Sequence, residues 1–216
     1  MELFEVMRTT FSAREFTSED VPNEVLFDVL DNARFAPSGG NRQGAHVVIV
    51  RDQDTKALLT RLAEPAAKRY AAKKSVGDSP WNPIHPVGVS QTDIDNTEAP
   101  VMLTQTFARA PVVLIVLVDL GVVASLDQHL DRIGLVSGAS VYPLVWNILL
   151  GLRQAGYGGT ITTLPIAAEP EIQAALNAPS HYAVAACVPI GKPVKQLTKL
   201  RRQAVEQFVT FETLDG

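Results

Sequence analysis

The sequence predicts one domain that packs amphipathic helices against strands buried on both faces, and three observations predict it. Val25, Leu26, Val29, Leu30 and Ala33 recur at helical spacing behind a helix-start signal, Ser18-Glu19-Asp20-Val21-Pro22. Residues 110–118 are continuously aliphatic and rich in β-branched side chains, the pattern of a strand covered on both faces, and residues 182–190 repeat it. Residues 137–152 read as a long helix that is apolar on nearly every side, through Val141, Leu144, Val145, Trp146, Ile148, Leu149 and Leu150. Such a helix lies at the centre of a domain or in a subunit interface. A chain of 216 residues has the length for one domain with a sizeable core.

The elements follow in order. Residues 2–7 form a short helix pattern. In Arg8-Thr9-Thr10-Phe11-Ser12-Ala13-Arg14, two arginines then bracket three hydroxyl residues. Charge and hydroxyl donors together suit a phosphate or a polar ring edge, and equally suit a solvated loop. After the helix at 25–33 comes Ala36-Pro37-Ser38-Gly39-Gly40-Asn41-Arg42-Gln43. Pro37 ends the helix, Gly39 and Gly40 allow a close backbone approach, and Ser38, Asn41 and Gln43 offer uncharged donors and acceptors. The stretch is equipped to grip a flat ring with polar edges, and it also reads as an ordinary helix-to-strand loop. A strand at 46–50 and a helix at 55–62 come next.

Residues 64–100 change character. Lys68, Arg69, Lys73 and Lys74 cluster, and Gly77, Pro80, Pro83, Pro86 and Gly88 then break regularity. So long a stretch with little periodicity reads as a cover over a site, or as a loose insertion. Tyr70 and Trp81 belong to it. Asp127 and Asp131 read as one solvated face of a short helix, not as a metal pair, because no third ligand has matching spacing. Gly156-Tyr157-Gly158-Gly159-Thr160-Ile161-Thr162-Thr163-Leu164-Pro165 contains G-x-G after a helix, so it is no dinucleotide fingerprint, but it has backbone N–H groups to offer a ligand. A short helix at 169–176 and a basic cluster of Lys199, Arg201 and Arg202 complete the chain.

Composition excludes several classes. With 46% apolar and 19% charged residues and a net charge of −4, nothing suggests a nucleic-acid or membrane surface. The longest apolar run is far short of the ~20 residues of a membrane helix, and Met1-Glu2-Leu3-Phe4-Glu5 lacks the basic start of a signal peptide. The single cysteine, Cys187, reads as a small buried hydrophobe, consistent with a reducing, cytoplasmic setting. No nucleophile-with-base pattern occurs, and His46, His85, His129 and His181 have no metal-ligand spacing. Chemistry on such a chain falls to a cofactor.

The sequence resembles the nitroreductase family of FMN-dependent flavoproteins over nearly its whole length. The resemblance rests on Thr9-Thr10-Phe11-Ser12-Ala13-Arg14-Glu15-Phe16, on residues 36–43, on residues 156–165, and on Gly191-Lys192-Pro193 followed by the basic cluster. It implies a single α+β domain over residues 1–216: a mixed central sheet flanked by helices, a lid at 64–100, and an intertwined homodimer with FMN at the interface. The helix at 141–152 would be the dimer spine. Residues 205–216, with the alternation Phe208-Val209-Thr210-Phe211, would be an arm crossing to the partner. The resemblance further implies that Arg14 faces the pyrimidine edge of the flavin, with Ser12 near its phosphate or ribityl chain. Arg202 matches the phosphate-binding position, with Lys199 and Arg201 as neighbours in register. Ser38, Gly39, Asn41 and Gln43 would edge the flavin, Gly40 and Tyr70 would lie by the substrate, and Thr162, Thr163 and Leu164 would present N–H groups to the ring. Three departures stand out. Thr10 and Phe11 replace residues often basic in the family, leaving Arg8 to substitute. Gly44-Ala45 replaces a Pro-Trp. The lid is long. The implied activity is hydride transfer from NADPH or NADH through FMN to a nitroaromatic, quinone or similar acceptor. The alternatives are reductive dehalogenation, with Glu64, Arg69, Tyr70 and Lys73 clamping a zwitterionic substrate, and FMN binding without turnover.

Overall fold

A computed structural model describes residues 1–84 and 88–214. His85 and Pro86, named above, lie outside the described residues. The elements run α1 (Leu3–Thr9), α2 (Asn23–Ala33), β1 (Ala45–Val50), α3 (Gln53–Ser75), α4 (Gln91–Asp95), α5 (Val101–Thr104), α6 (Thr106–Arg109), β2 (Val112–Asp119), α7 (Tyr142–Gln154), β3 (Gly158–Gly159), α8 (Glu169–Ala175) and β4 (Tyr182–Gly191). The strands form one sheet in the order β1-β2-β4-β3.

The period of two along β2 divides the core. Val112, Leu114, Val116 and Val118 face α2 and α7 in one cluster with Leu26, Val145, Ile148 and Leu152. Val113, Ile115 and Leu117 face the other way, into a cluster with Leu59 and Ala63 of α3, Phe107 of α6 and Ile172 of α8. Helices thus cover both faces, which is why the sequence of β2 carries no polar alternation. Cys187 sits in the second cluster, and burial pushes its thiol pKa up to about 12, so it is an inert apolar group as its sequence setting predicts.

The structure corrects four expectations. The sheet is not mixed in its ladders: β1 with β2, β2 with β4 and β3 with β4 are all antiparallel, and the one parallel pairing among the described residues is an isolated bridge between Ser12 and Gly159. The irregular stretch begins later than residue 64, because α3 continues to Ser75 with Pro65 inside it. Its inward face is carried by Leu59, Ala63, Ala66, Ala67 and Ala72, where small side chains hide the helical period. Asp127 lies on no helix and on no wet face. Its side chain is 5% exposed and accepts from Leu135 N–H at 2.7 Å, Val136 N–H at 3.3 Å and Arg132 Nη1 at 2.7 Å, which ties the turns of 123–135 together. Lastly, α7 starts only at Tyr142, after a 3-10 turn at Val136–Ser140, and it is buried on one face through Val145, Ile148, Leu149 and Leu152, while Tyr142 and Trp146 stand exposed.

Candidate functional site

The two termini are zipped together at one edge of the sheet. Ser12 bridges Gly159, Ala13 N–H donates to Gly159 O, Phe16 bridges Pro193, and Val194 N–H donates to Glu15 O at 3.1 Å. Gln196 Nε2 then donates to Thr9 O at 3.0 Å. The result is a cavity of about 230 Å³ lined by Phe11, Ser12, Arg14, Glu15, Met102, Lys195 and Leu197. Lys195 is a cation the sequence reading passed over, because only the zipped termini bring it beside Ser12. Lys199, Arg201 and Arg202 follow in the same segment, all exposed, and among the described residues the only hydrogen bond of their side chains is Arg202 Nη1 to Arg201 O. Arg8 lies exposed in the last turn of α1. Among the described residues, none of Arg8, Arg14, Lys195, Lys199, Arg201 and Arg202 forms an ion pair.

Arg14 is the distinctive member of this group. It is half-buried, and desolvation pulls its pKa below the ordinary arginine value, opposed in part by the Tyr70 phenol. Among the described residues its guanidinium donates only to Ser12 O, at 3.4 Å. Thr106 Oγ1 donates to its backbone carbonyl at 3.1 Å and fixes the chain there. Thr10, by contrast, is buried with its hydroxyl on Val6 O, so this departure from the family pattern turns inward and stabilises α1.

The turn after β3 leads along β4. Thr162 N–H donates to Cys187 O at 3.0 Å and its carbonyl accepts from Cys187 N–H at 2.9 Å. That donor belongs to the sheet, which corrects the expectation that Thr162 offers it to a ligand. The N–H groups of Thr163 and Leu164 have no acceptor among the described residues. Both residues line a cavity of about 460 Å³ with Ala66, Trp81, Tyr142, Ile166, Ala167, Val184 and Ala185. Tyr142, whose hydroxyl donates to Ala185 O at 3.2 Å, was not singled out from the sequence; its place heading the apolar helix was the available signal.

The loop at 38–43 is preorganised elsewhere. Gly40, Asn41 and Gln43 all have positive φ, of 62°, 53° and 51°, and Gly40 is the position where a side chain costs most. Gln43 N–H donates to Ser38 Oγ at 2.9 Å, Asn41 N–H to Ser38 O at 2.8 Å, and Gly39 N–H to Ser140 Oγ at 3.1 Å. Arg42 Nη1 donates to Val122 O at 3.1 Å. The loop leads into Ala45, opposite Val118 near the end of β2, whereas Ser12 lies beside Gly159, which is opposite Ile190, itself opposite Val112 at the start of β2. The Arg14 segment and the 38–43 loop of one chain are therefore separated by roughly 20 Å along the strands and roughly 19 Å across them.

The proposed substrate clamp does not converge as a unit. Lys73 is buried against Asp78 at 2.9 Å, Glu64 lies 3.7 Å from Lys68, and Tyr70 carries Lys74 over its ring. Arg69 lies over the Trp81 ring, 5.6 Å from its centroid. Among the described residues, no group of three His, Cys, Asp or Glu side chains could hold a metal, and no helix is long and apolar enough to cross a membrane.

Comparison with known proteins identifies the family. The family model described as "Nitroreductase family" matches residues 7–192. Iodotyrosine deiodinase 1 of Mus musculus is 25% identical over 210 residues, covering 96% of this chain and 68% of that protein. An iodotyrosine dehalogenase 1 homolog of Caenorhabditis elegans is 26% identical, with 91% and 60% covered. Among solved structures, an oxidized iodotyrosine deiodinase bound to FMN and 3-iodo-L-tyrosine has a TM-score of 0.70 at 23% identity, covering 98% of this chain and 100% of that one. A BluB-like flavoprotein from Clostridium difficile 630 has a TM-score of 0.73 at 22% identity, with 99% and 100% covered. The NADPH:FMN oxidoreductase from Vibrio harveyi complexed with NAD+ has a TM-score of 0.69 at 15% identity, with 98% and 77% covered.

Proposed function

Because the chain belongs to the nitroreductase family, we propose that it is an FMN-dependent oxidoreductase taking electrons from NADPH or NADH and passing them to an electron-poor aromatic or quinone acceptor. Arg14 carries this reading. A half-buried guanidinium without a carboxylate partner is uncompensated, and an anionic or electron-rich ligand edge beside it removes the penalty. The surrounding residues fit FMN. Arg8, Ser12, Lys195, Lys199, Arg201 and Arg202 supply charge and hydroxyl for the phosphate, with Arg202 in the register the family resemblance implies. Thr163 and Leu164 have N–H groups free for the polar edge of the ring, and Ser38, Gly39, Asn41 and Gln43 supply uncharged partners.

When bound, FMN supplies hydride acceptance and donation. The chain supplies position and field. Arg14 favours negative charge on the group it faces, most strongly where water is excluded. Val184, Ala185 and Tyr142 provide a dry wall opposite Trp81. Gly40, with its positive φ and no side chain, leaves room for an acceptor by the 38–43 loop. No side chain at the site needs to act as an acid, since water can deliver protons.

The reading includes a homodimer. A second copy can bring its Ser38 to Gln43 loop to the Arg14 of the first, which the separation within one chain forbids. The exposed apolar residues Tyr142 and Trp146 on α7, and Phe208, Phe211 and Leu214 at 66%, 80% and 96% exposure, support a buried partner surface. The test is the visible spectrum of the purified protein, followed by anaerobic NADPH and then NADH. A flavin band that bleaches with either donor is the expected result. Absence of the band, even after soaking in FMN, overturns the reading. Full-length similarity to deiodinases favours a second reading, reductive dehalogenation of a halogenated aromatic, which halide release from iodotyrosine under a reductant would support.

A further inference from the structure

Two cavities meet at Trp81. One, of about 460 Å³, is the Thr163–Leu164 cavity already described. The other, of about 600 Å³, is lined by Arg61, Glu64, Pro65, Ala66, Lys68, Arg69, Trp81, Gln91, Ile94, Asp95 and Ala167. Ala66, Trp81 and Ala167 line both, so the two form a continuous groove with the indole as a shared wall. The first part is largely apolar and suited to a flat ring. The second part carries the charge.

The charges along the second cavity do not balance. Glu64 is offset by Lys68 at 3.7 Å, and Asp95 accepts from Gln91 Nε2 at 2.7 Å. Lys73, on the same helix, is consumed by Asp78. Arg69 and Arg61 have no ion-pair partner among the described residues. Arg69 is the one of the two whose guanidinium lies over Trp81, the wall common to both cavities. Trp81 is held there with a positive φ of 65°, a conformation bulky residues rarely adopt and one that marks a constrained position. A planar cation resting on an indole keeps its N–H fork free for a carboxylate, while the ring contact limits its rotamers.

We infer that Arg69, seated on Trp81, selects an aromatic monoanion as the acceptor: its ring stacks in the Thr163–Leu164 cavity against the flavin whose edge those two N–H groups hold, and a carboxylate on it reaches the Arg69 guanidinium. The inference rests on the oxidoreductase reading above and narrows its substrate class. It also separates this site from one built for an amino-acid zwitterion. A zwitterion needs a carboxylate for its ammonium, whereas in this groove three cations, Arg61, Lys68 and Arg69, outnumber two carboxylates, Glu64 and Asp95, and Glu64 is shared with Lys68.

The test uses the FMN-loaded protein and two pairs of probes. The first pair is para-nitrobenzoate and neutral para-nitrobenzyl alcohol. The second is iodotyrosine and its desamino analogue, which keeps the carboxylate and lacks the ammonium. Binding to the oxidised protein is followed by calorimetry without any nicotinamide, and turnover is measured separately. The expected result is that nitrobenzoate binds about 10- to 100-fold tighter than the alcohol, the scale of one charge-assisted pair. Arg69→Gln collapses that ratio towards one and Arg69→Lys retains part of it. The desamino analogue binds at least as well as iodotyrosine. A ratio near one in the unmodified protein, a ratio unchanged by Arg69→Gln, or iodotyrosine binding about 10-fold better than its analogue overturns the inference. Each of these outcomes leaves the flavin reading standing, because that reading fails only if flavin, or reduction by both nicotinamides, is absent. Thermal melting of each variant checks that the Arg69 substitutions leave the fold intact.

Discussion

Arg14 and Asp127 show the two ways in which a charged residue is held by this fold. Arg14 is half-desolvated and unpaired, so its cost is left for a ligand to relieve. On the proposed reading, Arg14→Met weakens FMN binding by about 10- to 100-fold, the weight of one hydrogen bond to a charged group, and Arg14→Lys restores part of it. Titration of flavin fluorescence measures both. Unchanged affinity in the methionine variant sinks the assignment of Arg14 to the flavin. Asp127 is fully satisfied within the protein. The Leu135 N–H, then the Arg132 guanidinium, hold its pKa at about 2, below the ordinary 3.8. A depressed folded-state pKa gives stability that is present above pH 3.8 and is lost as pH falls through about 2. Melting temperature against pH is therefore steeper in the natural protein than in Asp127→Asn across that window. Identical slopes would show that Asp127 does not anchor residues 123–135.

At the scale of elements, α3 and β3 are set by small residues. The buried apolar residues of α3 are alanines apart from Leu59, its one large buried apolar side chain, at 1% exposure. Leu59→Ala costs about 2–5 kcal/mol through lost burial and a cavity, measured by urea unfolding, and a cost under about 1 kcal/mol would mean the helix is anchored elsewhere. In β3, a Cβ on Gly159 would stand 2.8 Å from Pro189 O, a backbone atom that cannot swing away. Gly159→Ala therefore destabilises by about 1–3 kcal/mol through backbone displacement. Because Ser12 pairs with Gly159, the same substitution is expected to disturb the seat of Arg14, which a parallel flavin titration reads separately from stability.

At the scale of the whole molecule, large apolar side chains stand exposed at Phe4, Phe27, Phe35, Trp146, Phe208 and Phe211, the kind of surface that a partner covers. The arm from Val205 onward is exposed at every described residue. If the proposed dimer is correct, ending the chain at Ala204 converts dimer to monomer in analytical ultracentrifugation and lowers FMN affinity, while far-ultraviolet circular dichroism keeps its helical shape. A truncated protein that stays dimeric and fully flavinylated would remove the arm from the interface. The proposed arm, with its Phe208-Val209-Thr210-Phe211 alternation, holds a 3-10 turn at Val205–Gln207 and irregular chain as far as Leu214.

The sequence by itself determined the helix at 25–33, the strands at 46–50, 110–118 (which begins at Val112 in the structure) and 182–190, and the inert character of Cys187. Each is written in a local period or in an unbroken apolar run, and burial on both faces leaves no other reading for β2. The loop at 36–43 was also legible as a break between helix and strand, because proline, glycine and short polar side chains mark a turn. What only the tertiary structure decided were pairings between distant residues. It gave the Thr162 amide to Cys187, Lys73 to Asp78 and Asp127 to its own loop, and it brought Lys195 beside Ser12 and Arg69 onto Trp81. The physical reason is that hydrogen-bond and charge satisfaction depends on which groups meet in space. A helix faced with alanine leaves no large-residue period to read, and an uncompensated cation looks the same in sequence as a neutralised one.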